Sequence, residues 1–297
     1  MGSWLWPGPF GWDEFGLYAD LAIKKVNQRF RWIEPGTFLM GSPESEPEHD
    51  KDEIQHGVTL TQGYWLADTA CSQALWQAVM GKNPAVFQED PSNPVEHVSW
   101  NDTQAFIGEL NKLFPGLQAC LPTEAQWEYA CRAGTTTPFS FGDNITPEKV
   151  NYNGEYPYAD GEKGLNREKT VPVKSLPPNA WGFYEMHGNV WEWCRDWYGE
   201  YPTEAVLDPM GPSEGVSRVL RGGSWFSLGR HARSARRIHL EPDLRSGIIG
   251  FRLALGQPEQ AGKSARSGQE RAGGGNLGQK KTNKNFLTDI LVKLKPK

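Results

Sequence analysis

Two carboxylates, Glu185 and Glu192, stand in the run Asn179-Ala180-Trp181-Gly182-Phe183-Tyr184-Glu185-Met186-His187-Gly188-Asn189-Val190-Trp191-Glu192-Trp193, among large apolar side chains. A carboxylate buried among tryptophans needs a counter-charge or several donors. A hard cation such as Ca²⁺ would supply the charge, with backbone carbonyls of an irregular loop completing its shell. Gly188-Asn189 is a pair suited to positive φ, and so to such a loop. By spacing alone, two surface glutamates beside an aromatic core fit equally well. The six histidines (His49, His56, His97, His187, His231 and His239) form no recognisable ligand pair, and no Ser-His-Asp set or Gly-rich phosphate loop stands out. The four cysteines, Cys71, Cys120, Cys131 and Cys194, have no metal or redox spacing. They are expected to be buried, reduced thiols.

The elements that must position these groups are short. Gly16 to Ile23 and Val26 to Ile33 alternate as a hairpin with Lys24-Lys25 at its turn. Gly36 to Met40, Val58 to Leu60 and Tyr64 to Asp68 read as further strands. Ser72 caps a helix to Met80, which Gly81 stops. A second helix is expected to start on an Asn101 cap and end before Pro115-Gly116. A third runs from a Thr123 cap to about Arg132. Pro43 to Asp52, with Glu44, Glu46, Glu48, Asp50 and Asp52, reads as a solvated acidic loop. Residues 134–178 are rich in Gly, Pro, Asn and Tyr and read as one long loop.

Five words occur in order: Trp32-Ile33-Glu34-Pro35-Gly36-Thr37-Phe38-Leu39-Met40-Gly41-Ser42, Pro94-Val95-Glu96-His97-Val98-Ser99-Trp100, Leu121-Pro122-Thr123-Glu124-Ala125-Gln126-Trp127-Glu128-Tyr129-Ala130, Gly188-Asn189-Val190-Trp191-Glu192-Trp193, and Arg221-Gly222-Gly223-Ser224-Trp225. Over Arg31 to Leu255 the chain thereby resembles the formylglycine-generating-enzyme family. The resemblance implies an α+β, C-type lectin fold, loop-rich, with short antiparallel strands and a few helices. Residues 1–255 would form that domain with an N-terminal hairpin extension. The family's calcium sites come with it. Asn151 and Tyr152 match one in outline, but Lys163 stands near the place of its carboxylate. For the other, Glu192 matches the carboxylate, Gly188 and Val190 match the carbonyl donors, and Glu185 replaces an amide. A structural calcium is therefore the expected cofactor.

The same resemblance weighs against oxidase chemistry. The family's oxidases bind copper through a thiolate pair near the C-terminus, and soft thiolates suit Cu(I). Between Arg221 and Leu255 this chain has no cysteine, so no copper is expected. Framework-like residues (Arg233-Ser234-Ala235, Pro242, Arg245) alternate there with an assorted set: Phe226, Ser227, Leu228, Arg230, His231, Arg236, Ile238, His239, Leu240, Leu244, Ser246, Gly247 and Ile248. This pattern resembles the variable proteins of diversity-generating retroelements, which use the same lectin-type fold. In those systems adenines of Asn-type codons are randomised while the third base stays a pyrimidine, which excludes Lys, Glu, Gln, Met and Trp. Those types make up 70 of the 297 residues but only one, Glu241, of the 27 from Phe226 to Arg252. A basic binding loop of no special history is the competing account. The expected function is a non-catalytic ligand-binding protein with a diversified surface over 226–248. The alternatives are a metal-dependent oxidase of the family or a carbohydrate-binding lectin. Phe226, Leu228, Ile238, Leu240 and Ile248, beside Arg230, Arg236, His231 and His239, have the make-up of a protein-binding patch.

A formal net charge of −5 does not suit a nucleic-acid binder. Met1 to Pro7 lacks the basic start and apolar core of a signal peptide, and a cytoplasmic location is expected. Residues 256–297 differ. They carry nine Lys or Arg against three Asp or Glu and include Gly273-Gly274-Gly275, the composition of a basic linker and tail. A disordered tail is the expectation from this composition; the alternative is a short helix lined by Phe286, Ile290 and Leu294, for contact with a partner or a membrane surface.

Overall fold

The computed structural model describes residues 8–256. The tail, with its proposed helix and contacts, lies outside the described residues.

Three sheets carry the domain. The first hairpin forms as its alternation predicts: β2 (Gly16–Ile23) pairs antiparallel with β3 (Val26–Ile33), Ile23 opposite Val26, with Lys24 at φ 55 in the turn. With β1 (Phe10–Asp13), β6 (Tyr64–Ala67), β13 (Ala254–Leu255) and β7 (Ala119–Cys120) they make a six-stranded sheet in the order β1-β2-β3-β6-β13-β7. A three-stranded sheet joins β4 (Gly36–Met40), β5 (His56–Leu60) and β9 (Val206–Leu207). The third sheet has the order β11-β10-β8-β12, formed by β11 (Arg237–Leu240), β10 (Arg218–Arg221), β8 (Trp191–Trp197) and β12 (Ile249–Gly250).

The helices start where side chains satisfy their first amides. Ser72 accepts from the Leu75 amide and caps α1 (Gln73–Met80), and Gly81 ends it at φ 78. Ser99, not Asn101, caps α2 (Trp100–Leu113), through a capping box with Asp102. The correction follows from that box: Asp102 answers the Ser99 amide, which Asn101 could not arrange. Thr123 and Gln126 build a second box at the start of α3 (Glu124–Arg132).

Trp127, Phe183, Met186, Val219 and Ala254 meet in one core between α3 and the sheets. Residues 134–178 contain no helix or strand of the fold. Their own cluster of Phe139, Ile145, Val150, Tyr152 and Tyr158 closes on Ala232. Cys71, Cys131 and Cys194 are buried, Cys120 is half-buried where burial was expected, and none forms a disulfide. No helix among the described residues is long and apolar enough to cross a membrane.

Candidate recognition segment and its buried supports

Two of the sequence words clasp each other beneath the assorted segment. The Gly188 amide donates to the Gly222 carbonyl at 2.7 Å, and the Trp225 amide donates to the Asn189 carbonyl at 2.9 Å. Gly188, at φ 77, has the Asn151 carbonyl 2.3 Å from where a Cβ would stand, so only glycine permits the approach. Asn189, at φ 63, uses its side chain to hold both the amide and the carbonyl of Val171 and the side-chain amide of Asn151. The clasp thus fixes the backbone entering residue 226 and ties the long loop to it.

From there the chain makes a single 3₁₀ turn over Gly229–Ala232, enters β11, and returns through a loop to β12. Among the thirteen assorted residues, Arg230 is exposed, and Phe226, Leu228, Arg236, Ile238, His239 and Leu244 are half-buried. The other six lie inside. Leu240 and Ile248 were expected on the surface but are 7% and 3% exposed. Leu240 ends β11 facing the core, and the Ile248 carbonyl takes the Trp191 amide at 2.8 Å, which draws the residue under the sheet. Ser227 turns inward to accept the Ser224 amide at 2.9 Å. His231, Ser246 and Gly247 are buried as well. Of the five apolar residues expected to form a patch, Phe226, Leu228 and Ile238 reach solvent.

The acidic run is solvated at Glu44, Glu48 and Asp50, as its composition suggested, but Glu46 turns inward. Glu46 and Glu53 are buried against Arg233, whose Nη1 donates to Glu46 at 2.7 Å and to Glu53 at 2.7 Å while Nη2 donates to Glu53 at 2.8 Å. Arg236 pairs with Asp50, and Arg230 pairs with Glu48 at 3.2 Å. The loop lies along the recognition segment and answers its arginines one by one. Acidic residues at every second position from 44 to 52, and arginines at 230, 233 and 236, were the available signal. Their pairing could not be read because about 180 residues separate them.

The carboxylates first considered for a metal have distinct surroundings. Arg252 grips Glu192 with Nε to Oε2 at 2.6 Å and Nη2 to Oε1 at 2.8 Å, and Trp127 Nε1 adds a bond to Oε2 at 2.7 Å. A guanidinium stands where the ion's charge was expected, so Glu192 does not fit a calcium ligand as placed. Glu185 differs. It is buried, its oxygens take only the Lys174 amide at 3.2 Å and the Leu176 amide at 3.4 Å, and burial pushes its pKa up to about 7. It borders a shallow surface depression with Ser140, Phe141, Lys149 and His187. A buried carboxylate in no salt bridge among the described residues suits a hard-cation ligand. Of the residues expected to hold calcium, Glu185 is the side chain whose surroundings suit the ion.

The remaining candidate chemistry is quenched by burial. His187 Nδ1 contacts the Ala232 carbonyl at 2.7 Å while Nε2 accepts the Ser140 amide at 3.1 Å, which assigns a neutral ring. Burial holds its pKa down to about 4. Cys131 Sγ lies 3.9 and 3.7 Å from the two ring nitrogens of His187, a face-on contact, and burial pushes the thiol up to about 12. No thiolate–imidazolium pair forms. Burial, reinforced by Arg236, Arg230 and Arg233, lowers His231 to about 3. His239 stacks on Tyr198 and shares a hydrogen bond with Ser217. Among the described residues, no group of three His, Cys, Asp or Glu is placed to hold a metal ion by itself.

The sulfatase-modifying factor enzyme 1-like domain family matches residues 19–256. A formylglycine-generating enzyme of Streptomyces coelicolor is 40% identical over 186 residues, covering 59% of this chain and 56% of that enzyme. The chain thus spans little more than half of that relative. Among solved structures, Treponema denticola variable protein 1 superposes with a TM-score of 0.69 and 28% identity, over 80% of this chain and 98% of that one. PvdO from Pseudomonas aeruginosa superposes with a TM-score of 0.67 and 26% identity, over 80% of this chain and 97% of that one.

Proposed function

The chain belongs to the sulfatase-modifying factor enzyme 1-like family, and from that premise we propose that it is a non-catalytic ligand-binding protein whose segment 226–248 is a diversified recognition surface. The observation that carries this reading is the make-up of that segment. It has no cysteine, burial lowers the pKa of both its histidines, and Phe226, Leu228, Arg230, Ile238 and His239 reach solvent on a frame set by buried partners. Side chains that reach solvent above a fixed frame can be exchanged at little cost in stability. The likeness to Treponema denticola variable protein 1 supports the same reading.

The ligand is a macromolecule, most simply a protein, because aromatic, aliphatic and arginine side chains are the usual anchors of interfaces. No nucleic acid is expected to bind this domain. Calcium is proposed here as a structural ion, with Glu185 and the Gly188 and Val190 carbonyls as its candidate ligands. The basic tail is a secondary contact for a partner or a membrane surface.

The deciding experiment is genomic. A near-copy of the segment coding for Arg221 to Leu255, differing only at adenines and lying beside a reverse transcriptase, is the expected finding. A source genome with neither would remove the diversified reading. The 40% identity to a formylglycine-generating enzyme favours an oxidase as the second reading. Stoichiometric, tightly bound copper together with oxidation of a cysteine peptide would establish it. Without the cysteine pair neither is expected.

A further inference from the structure

Glu96 lies outside the recognition segment, yet it is packed against it. The residue is 0% exposed. Its Oε1 accepts the amides of Val86 at 2.5 Å and Phe87 at 2.8 Å. Its Oε2 is buried with no hydrogen-bond partner. No salt bridge among the described residues reaches it, and the neighbouring charge that acts on it is another carboxylate, Glu89. Burial pushes its pKa up to about 7. A carboxylate in this state is costly unless something supplies a positive donor.

The neighbouring backbone leaves room for one. A Cβ built on Gly247 would stand 3.4 Å from Glu96 Oε2 and 3.5 Å from the nearest methyl of Val86. The absent side chain therefore leaves a methyl-sized gap directly against the orphaned oxygen. Ser246, next in the chain, has a second orphan, since its Oγ is buried without a partner. The backbone there is pinned by the His97 amide on the Ser246 carbonyl at 3.0 Å and by Trp225 Nε1 on the Gly247 carbonyl at 3.0 Å. Val86, which borders the gap, is 60% exposed. The half-buried ring of Phe87 stands beside Trp225 at 5.3 Å and extends an apolar rim.

We propose that Glu96, Ser246 and the side-chain gap at Gly247 form a seat for a primary ammonium group, supplied in the macromolecular ligand by a lysine side chain. The partnerless oxygen of Glu96 matches a group with three donors and no acceptor, and the Ser246 hydroxyl is a second buried acceptor in the adjoining residue. A gap of methyl size takes an ammonium and not the planar fork of a guanidinium. The apolar rim suits the aliphatic stem that carries a lysine's charge. Displacing the Val86 side chain opens the path. The lysine as source rests on the recognition reading above; the ammonium seat does not.

The test uses the full chain and n-butylammonium chloride as probe, followed by amide chemical shifts of Val86, Phe87 and Gly247. Saturable shifts are expected, with guanidinium, tetramethylammonium and sodium at equal ionic strength weaker by roughly tenfold or more. Gly247→Ala is the critical variant. Its φ is ordinary and its methyl meets only van der Waals contacts, so the fold and melting temperature stay while the gap is filled. It should lose the butylammonium response, and Glu96→Gln should lose it too. Equal shifts from sodium, or an undiminished response in Gly247→Ala, would overturn the seat. Loss of the seat with ligand capture still dependent on Phe226 and Leu228 would leave the recognition segment standing without it.

Discussion

Arg233 and Glu53 are joined by two hydrogen bonds, Nη1 to Oε2 at 2.7 Å and Nη2 to Oε1 at 2.8 Å, with both side chains buried. This pair seats the acidic loop under the recognition segment. Removing one partner strands the other's charge in the interior. Arg233→Met or Glu53→Gln is therefore expected to cost about 3–5 kcal/mol. Arg230→Ser, whose partner Glu48 is half in water, should cost under about 1 kcal/mol. Chemical denaturation of the three variants measures both. Equal losses would mean that the loop is not anchored through Arg233.

Core and surface positions within one stretch should separate cleanly. Trp193 is fully buried, and its Nε1 donates to the Val98 carbonyl at 3.0 Å. Trp193→Ala is expected to cost about 3–5 kcal/mol through lost burial and a cavity. Ile248→Ser should be similarly severe, since it also buries a hydroxyl. Leu228→Ser and Ile238→Ser sit where the chain meets water and should cost clearly less. Thermal melts decide it. A large loss at Leu228 would remove it from the recognition surface.

Binding should follow exposure. Replacing Phe226, Leu228, Arg230 and Ile238 together by Ser is expected to abolish capture of a partner once one is identified, because these are the anchors that reach solvent. The buried members of the assorted set, among them Leu240 and Ile248, should affect binding only through stability. Unchanged affinity in the fourfold variant would place recognition elsewhere, and the basic tail from Lys280 to Lys297 would be tested next.

The pH dependence has a definite sign. Burial raises Glu185 from an ordinary value of 4.5 to about 7. Between those values the unfolded chain releases its proton while the fold keeps it, so stability falls as pH rises. His187, lowered from 6.5 to about 4, acts oppositely: its contribution is lost as pH falls from about 6.5 towards 4. The two windows overlap, and only a difference curve isolates one group. In chelator, Glu185→Gln should gain on the wild type by about 3 kcal/mol from pH 4.5 to 7. Parallel stability curves would show Glu185 ionised throughout.

Calcium should tell the two first-noted carboxylates apart. If the ion binds through Glu185, added Ca²⁺ raises the melting temperature of the wild type and not of Glu185→Gln. Glu192→Gln leaves Arg252 without its counter-charge and should destabilise the protein with or without the ion. A calcium response lost in Glu192→Gln but kept in Glu185→Gln would reverse the assignment.

The sequence by itself determined what depends on near neighbours. The hairpin around Lys24-Lys25, the caps at Ser72 and Thr123, the stop at Gly81 and the glycines of the clasp are short-range matters of φ, alternation and hydrogen bonding. Five such words in order were enough for the fold. The missing cysteines between Arg221 and Leu255 were equally plain. Ser99 was misread because its box depends on Asp102, and Asn101 offers the same chemistry two residues later. What only the tertiary structure decided was partnership and depth. Glu192 meets Arg252, Glu53 meets Arg233, and Ile248 slips beneath Trp191 because strands distant in sequence become neighbours in one sheet. A charge's worth, and an apolar residue's exposure, depend on what the rest of the chain brings to it. The oxygen of Glu96 that meets nothing was invisible for the same reason.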